Sequence, residues 1–145
     1  VPLARQPWRS LAVIWAGPGT LLGLALLLLA RASGGLVRRH RGTLEASGGA
    51  LVAVMRWMSR GAWTVEAFTL GHVILARDAA LLEEHRAHER THVRQWERWG
   101  PLFLPAYFAL SLWSRLRGRD AYLANRFERE AWGDPPGDAD GPPRG

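Results

Sequence analysis

Hydrophobic positions fall into a few blocks along the chain, each with its own period. Residues 11–30 (LAVIWAGPGTLLGLALLLLA) run for twenty residues without a charge. At about 1.5 Å rise per residue this matches a bilayer core of roughly 30 Å. The run predicts one hydrophobic helix, a single-pass membrane anchor within residues 1–32. A cleaved signal peptide is one alternative, against which stand the length of the run and its interruption at Gly17-Pro18-Gly19; a buried helical hairpin broken at that point is the other. Residues 33–62 are rich in glycine and alternate loosely, so short strands and turns are expected. The stretch WTVEAFTLGHVILA (63–76) carries β-branched and aromatic residues in partial alternation and predicts one or two strands. Asp78 then caps a helix from Ala79 to Trp99, and Gly100-Pro101 stops it. The apolar block LFLPAYFALSLW (102–113) is too short to span a bilayer and reads as a core helix or an interfacial segment. A last short helix begins near Asn125, and the Gly-, Pro- and Asp-rich residues 133–145 read as a disordered tail. The expected fold is α+β: a hydrophobic segment (1–32), a small domain with a few-stranded sheet and a helical C-terminal part (33–132), and the tail.

Composition narrows the function. The chain has no cysteine, which excludes disulfide scaffolds, thiolate zinc fingers and cysteine nucleophiles. Hydrophobic residues make up 48% and charged residues 22%, enough apolar side chains to exclude wholesale disorder. A mean hydropathy of -0.12 excludes a polytopic membrane protein. The net charge is +6 and every basic residue is arginine. These arginines are scattered rather than massed, so a membrane surface ranks above nucleic acid as the anionic partner, and no nucleic acid is expected. Eight tryptophans agree with that ranking, because indoles favour the headgroup region. The excess of arginine after the apolar run (Arg31, Arg38, Arg39 and Arg41) favours a cytoplasmic body as the expectation.

The chemistry-bearing pattern is His88-Glu89-Arg90-Thr91-His92 on the long helix. Histidines four apart sit one turn apart on the same side, where both can aim a ring nitrogen at one ion. Glu89 lies about 100° further round, beside the ion rather than pointing at it. At that helical angle Leu81, His85, His88, His92, Gln95 and Trp99 share one stripe, expected to face inward. Arg86, Arg90, Arg94 and Glu97 fall opposite, expected to face solvent or lipid headgroups. His85 reads as a surface or supporting histidine, since zinc sites seldom draw three ligands from one helix. His72 reads as a strand residue. Gln95 either bonds near the site or ends the polar stripe, and Tyr107 and Tyr122 are either carbonyl-polarising groups or ordinary core aromatics. Downstream, Glu128 and Glu130 both offer a carboxylate. The Asn125–Glu128 spacing also fits a capping box, in which Glu128 only returns a bond to the Asn125 amide.

The pattern His88-Glu89-x-x-His92, with a distant Glu128-x-x-Ala131, resembles a minimal gluzincin zinc metallopeptidase. More narrowly, residues 68–132 are similar to small bacterial membrane-associated proteins of HExxH type. The resemblance implies His88 and His92 as zinc ligands, Glu89 as general base and Glu128 as third ligand. It also implies a peptide or protein substrate held along an edge strand just before the metal helix. Arg90 departs from the pattern, because zinc peptidases place uncharged residues between the two histidines. That departure supports the competing expectation of a membrane-associated, non-catalytic protein whose HExxH is vestigial or holds a structural ion.

Overall fold

In a computed structural model, which describes residues 7–61 and 64–133, the chain divides into two units, residues 1–101 and 102–145. The fold is α+β. Its first unit runs α1 (Pro7–Trp15), α2 (Gly17–Ala32), β1 (Leu36–His40), β2 (Thr43–Ser47), α3 (Leu51–Met58), β3 (Ala67–Leu70), β4 (Val73–Ala76) and α4 (Ala79–Trp99). The second contains α5 (Phe103–Leu116) and α6 (Arg126–Ala131). Most of the expected tail, residues 134–145, lies outside the described residues, as do Arg5 and the other residues before Pro7.

Four strands form a mixed sheet in the order β1-β2-β4-β3. Each hairpin is antiparallel, and the inner strands β2 and β4 pair in parallel, with Leu44 opposite Val73 and Glu45 opposite Ile74. The β1–β2 turn is Arg41-Gly42, with φ of 45° and 87°. Positive φ at both positions gives the primed turn whose twist matches that of the strands it joins. The expected strands at 63–76 are found as β3 and β4. Within 33–62, however, residues 51–58 form a helix where short strands and turns were expected. LVAVMRWM is β-branched enough to read as a strand, but Leu51 and Met55, one helical turn apart, are the residues that bury.

Alternation gives the sheet two faces. On the Val73 face lies α2, so close that a Cβ on Gly23 would sit 2.7 Å from Val73 Cβ and 2.8 Å from the Leu70 carbonyl oxygen. The buried positions of α2 are Gly19, Gly23, Leu27 and Ala30, a stripe of mostly small residues. On the opposite face Ile74 and Ala76 pack with Leu82 and Val93 of α4. The single spanning helix expected over 11–30 is not what the chain forms. The helix breaks at Ala16, Pro18 starts the next segment, and α1 and α2 meet at a 62° bend. Among the described residues no single helix is long and apolar enough to cross a membrane.

Helix α4 has the expected bounds. The Asp78 carboxylate accepts the Leu81 N–H at 2.9 Å, and the helix ends at Gly100, where φ is +54°. Its faces need correction. Leu82, Glu89, Val93 and Trp96, all buried, form the stripe against the sheet; the histidine stripe flanks it on one side and the arginine stripe on the other. The expected arginine face is therefore not uniformly open. The Arg86 side chain, 16% exposed, grips the buried Glu45 of β2 through Nε and Nη2 at 2.8 and 2.9 Å, and also bonds Glu83. These bonds, the one to Glu45 foremost, push the Arg86 guanidinium further from deprotonation, and the Arg86 hydrogen bond holds the exposed Glu83 carboxyl below the usual carboxylate range. Glu97, assigned to the same face, accepts from His72 Nε2 at 2.9 Å.

In the second unit α5 extends one turn beyond the expected Trp113, to Leu116. Fully buried Asn125 joins α6 to it: Nδ2 donates to the Tyr107 carbonyl at 3.0 Å and to Ser111 Oγ at 2.7 Å, while Oδ1 accepts the Phe127 N–H at 3.0 Å. Phe127 packs edge-on against Phe103 at 5.1 Å.

Candidate metal centre

Both histidines of the HExxH pattern are buried on α4, 7% and 6% exposed. Their Nε2 atoms lie 3.0 Å apart, close to the roughly 3.3 Å edge of a tetrahedron built at zinc–nitrogen distance. His92 Nδ1 donates to Gln95 Oε1 at 2.8 Å, which fixes the ring tautomer and leaves Nε2 with a lone pair to give. Gln95 is itself 1% exposed, so of its two readings the supporting bond is the one found.

Glu89, one position on, turns toward the sheet. Thr69 Oγ1 in β3 donates to Glu89 Oε2 at 2.6 Å, with the Glu89 carbonyl oxygen at 3.2 Å. Both residues are buried. The Thr69 carbonyl oxygen in turn accepts from Trp96 Nε1 at 3.1 Å, so α4 and the edge strand β3 are tied at two points one residue wide. Thr69 was not singled out in the sequence. The signal for it is the tight Gly71-His72 turn, which sets Thr69 opposite Ile74 and so puts its side chain on the α4 face.

Glu128 lies in the first turn of α6 and is 4% exposed, whereas Glu130 is exposed. Tyr107 donates its hydroxyl to Glu128 Oε1 at 2.7 Å. The capping-box reading of Glu128 does not hold. Asn125 caps the helix, but its own N–H goes to the Tyr122 carbonyl at 3.0 Å. The remaining candidates fall elsewhere. His85 Nε2 pairs with Glu66 at 3.1 Å. His72, expected in a strand, sits in the β3–β4 turn; its N–H donates to Thr20 Oγ1 at 3.1 Å.

His88, His92 and Glu128 form a buried group that can hold a metal ion: one ligand atom from each lies within 4.8 Å of the others. The donor set, two imidazoles and a carboxylate, fits a divalent cation that accepts nitrogen and oxygen together. No family model matches the chain, nor does any curated protein or solved structure.

Proposed function

We propose that the chain is a zinc-dependent metallopeptidase of minimal gluzincin type, hydrolysing peptide bonds at the His88–His92–Glu128 group. The observation that carries this reading is the conjunction of two imidazole nitrogens and a buried carboxylate with a second buried carboxylate, Glu89, beside them but committed to Thr69. A ligand set alone would serve a structural ion. The adjacent non-ligating carboxylate is what hydrolysis requires. In this role His88 and His92 hold the ion through Nε2, Glu128 supplies the anionic ligand, and Gln95 and Tyr107 orient His92 and Glu128. A zinc ion held there would supply a Lewis acid that polarises a carbonyl and makes water more acidic. Glu89 would be the general base and acid, taking a proton from the attacking water and returning it to the leaving amine. The edge strand β3, which lies against α4, would give an extended peptide a strand to pair with.

A second reading, a metal-holding protein without hydrolysis, is favoured by Arg90. Its Nη1 is buried and has no hydrogen-bond partner among the described residues, and a cation so close in sequence to the histidines works against the charge of a metal. One experiment separates the two. Metal content and peptide cleavage are measured on the full chain and on Glu89→Gln, His88→Ala and Glu128→Gln. The peptidase reading expects Glu89→Gln to keep zinc near one per chain and to lose cleavage by about a thousandfold or more. His88→Ala and Glu128→Gln should lose the metal itself. Unchanged cleavage in Glu89→Gln, or a metal-loaded chain that cleaves nothing, overturns it.

A further inference from the structure

The buried stripe of α2 is committed to the sheet, and among the described residues its opposite stripe is left exposed. Leu21, Leu22, Leu28 and Leu29 are 70%, 53%, 64% and 47% exposed. At about 100° per residue these four, with Ala25, occupy one side of the helix, while Gly19, Gly23, Leu27 and Ala30 occupy the other. On α1, Leu11, Val13 and Ile14 are also more than half exposed, and Trp15 stands at the bend. Large exposed aliphatic surfaces of this kind mark a binding face. The charge around it identifies the occupant. Residues 1–44 contain six arginines and no aspartate or glutamate, so they carry the whole net charge of +6; the other thirteen arginines balance the thirteen acidic residues. Arg9 and Arg31 bracket the apolar stripe, and Arg31, Arg39 and Arg41 are exposed.

We infer that α1 and α2 lie in the plane of an anionic lipid bilayer, inserted by the leucine side only, with the arginines at the phosphate level. Two physical points favour this over the alternatives. A span meets lipid on every side, whereas one side of α2 is filled by Val73 and the Leu70 backbone, and α1 and α2 have the length and composition of a span only together, across their 62° bend. A second protein chain would be expected to meet interspersed polar groups, about one hydrogen bond per 100–200 Å². Between Leu11 and Ala30 every exposed side chain is apolar but for the indole N–H of Trp15. An amphipathic surface with an aliphatic face and arginine flanks is what the interface between headgroups and acyl chains accepts. The inference stands on α1 and α2 alone and does not depend on the metal centre.

The test uses the full chain and vesicles of phosphatidylcholine with and without phosphatidylglycerol. Sedimentation should show binding to the anionic vesicles, weakened by salt, and Leu22→Glu with Leu28→Glu should reduce partitioning by about a hundredfold. Both sites are exposed, so circular dichroism should be unchanged. Because the chain has no cysteine, Ser10→Cys and Ala32→Cys give single labels at the two ends of the helix pair, both exposed. A membrane-impermeant maleimide added outside preformed vesicles should reach both. Labelling of one end only means a span and overturns the in-plane geometry. Absence of vesicle binding, or a lipid-free dimer abolished by the same leucine variants, assigns the face to something other than a bilayer.

Discussion

At the scale of single residues, what separates a hydrolytic centre from a metal clip is how the second carboxylate is held. Glu89 is buried and receives one short bond from Thr69. A base held in one rotamer meets its proton in a fixed geometry; the same base free to rotate spends most of its time elsewhere. Replacing Thr69 by valine keeps the volume and removes the donor. The peptidase reading therefore expects Thr69→Val to lower kcat by about ten- to a hundredfold with KM and zinc content unchanged, and Thr69→Ser to recover most of the loss. A fall in zinc content in step with kcat would make Thr69 a fold residue instead. In that reading Gln95 and Tyr107 would orient His92 and Glu128 in the same manner, one through a ring nitrogen and one through a carboxylate oxygen.

Among the elements, α4 carries His88, Glu89 and His92 and also a two-pronged polar tie to the sheet. The fork of Arg86 meets both oxygens of Glu45, which is 1% exposed. Cutting one partner leaves a carboxylate buried without its counter-charge, so Arg86→Ala should cost about 3 kcal/mol by urea unfolding. Arg86→Met combined with Glu45→Leu should restore most of that, because neither charge is then stranded. A cost below about 1 kcal/mol for Arg86→Ala would place the pair among ordinary surface bridges. Glu83 adds a pH signature. Its folded carboxyl titrates below the usual range through its bond to Arg86, so its contribution is whole at neutral pH and is lost as pH falls through that lowered value. Glu83→Gln should flatten this acid limb. Helix α2 is fixed differently, by the absence of side chains at Gly19 and Gly23.

For the molecule as a whole, a bound metal adds stability in proportion to its affinity. With free zinc at a thousand times its dissociation constant the gain is about 4 kcal/mol, or roughly 10 °C in Tm for a chain of this length. A chelator should lower the Tm of the wild type by about that much and leave His88→Ala unmoved; equal melting with and without chelator would remove the metal from the fold. Much of the framework behind this was legible in the linear chain. Asp78 and Gly100-Pro101 set the bounds of α4, the four-residue spacing put His88 and His92 on one side, and Asn125 started α6, because capping and helical period are decided by neighbours a few residues away. Other features came only with the tertiary structure. The apolar string 11–30 has the composition of a span, and hydropathy sums a helix over all its sides; only packing shows that one side meets the sheet and the other meets none. LVAVMRWM suits either period until Leu51 and Met55 find a surface to bury against. Arg86 reads as solvated until Glu45, forty-one residues away, is set opposite it. Likewise Thr69 is an unremarked strand residue until β3 is laid beside Glu89. Each of these depends on a partner distant in sequence, and no local pattern encodes which surface a side chain will meet.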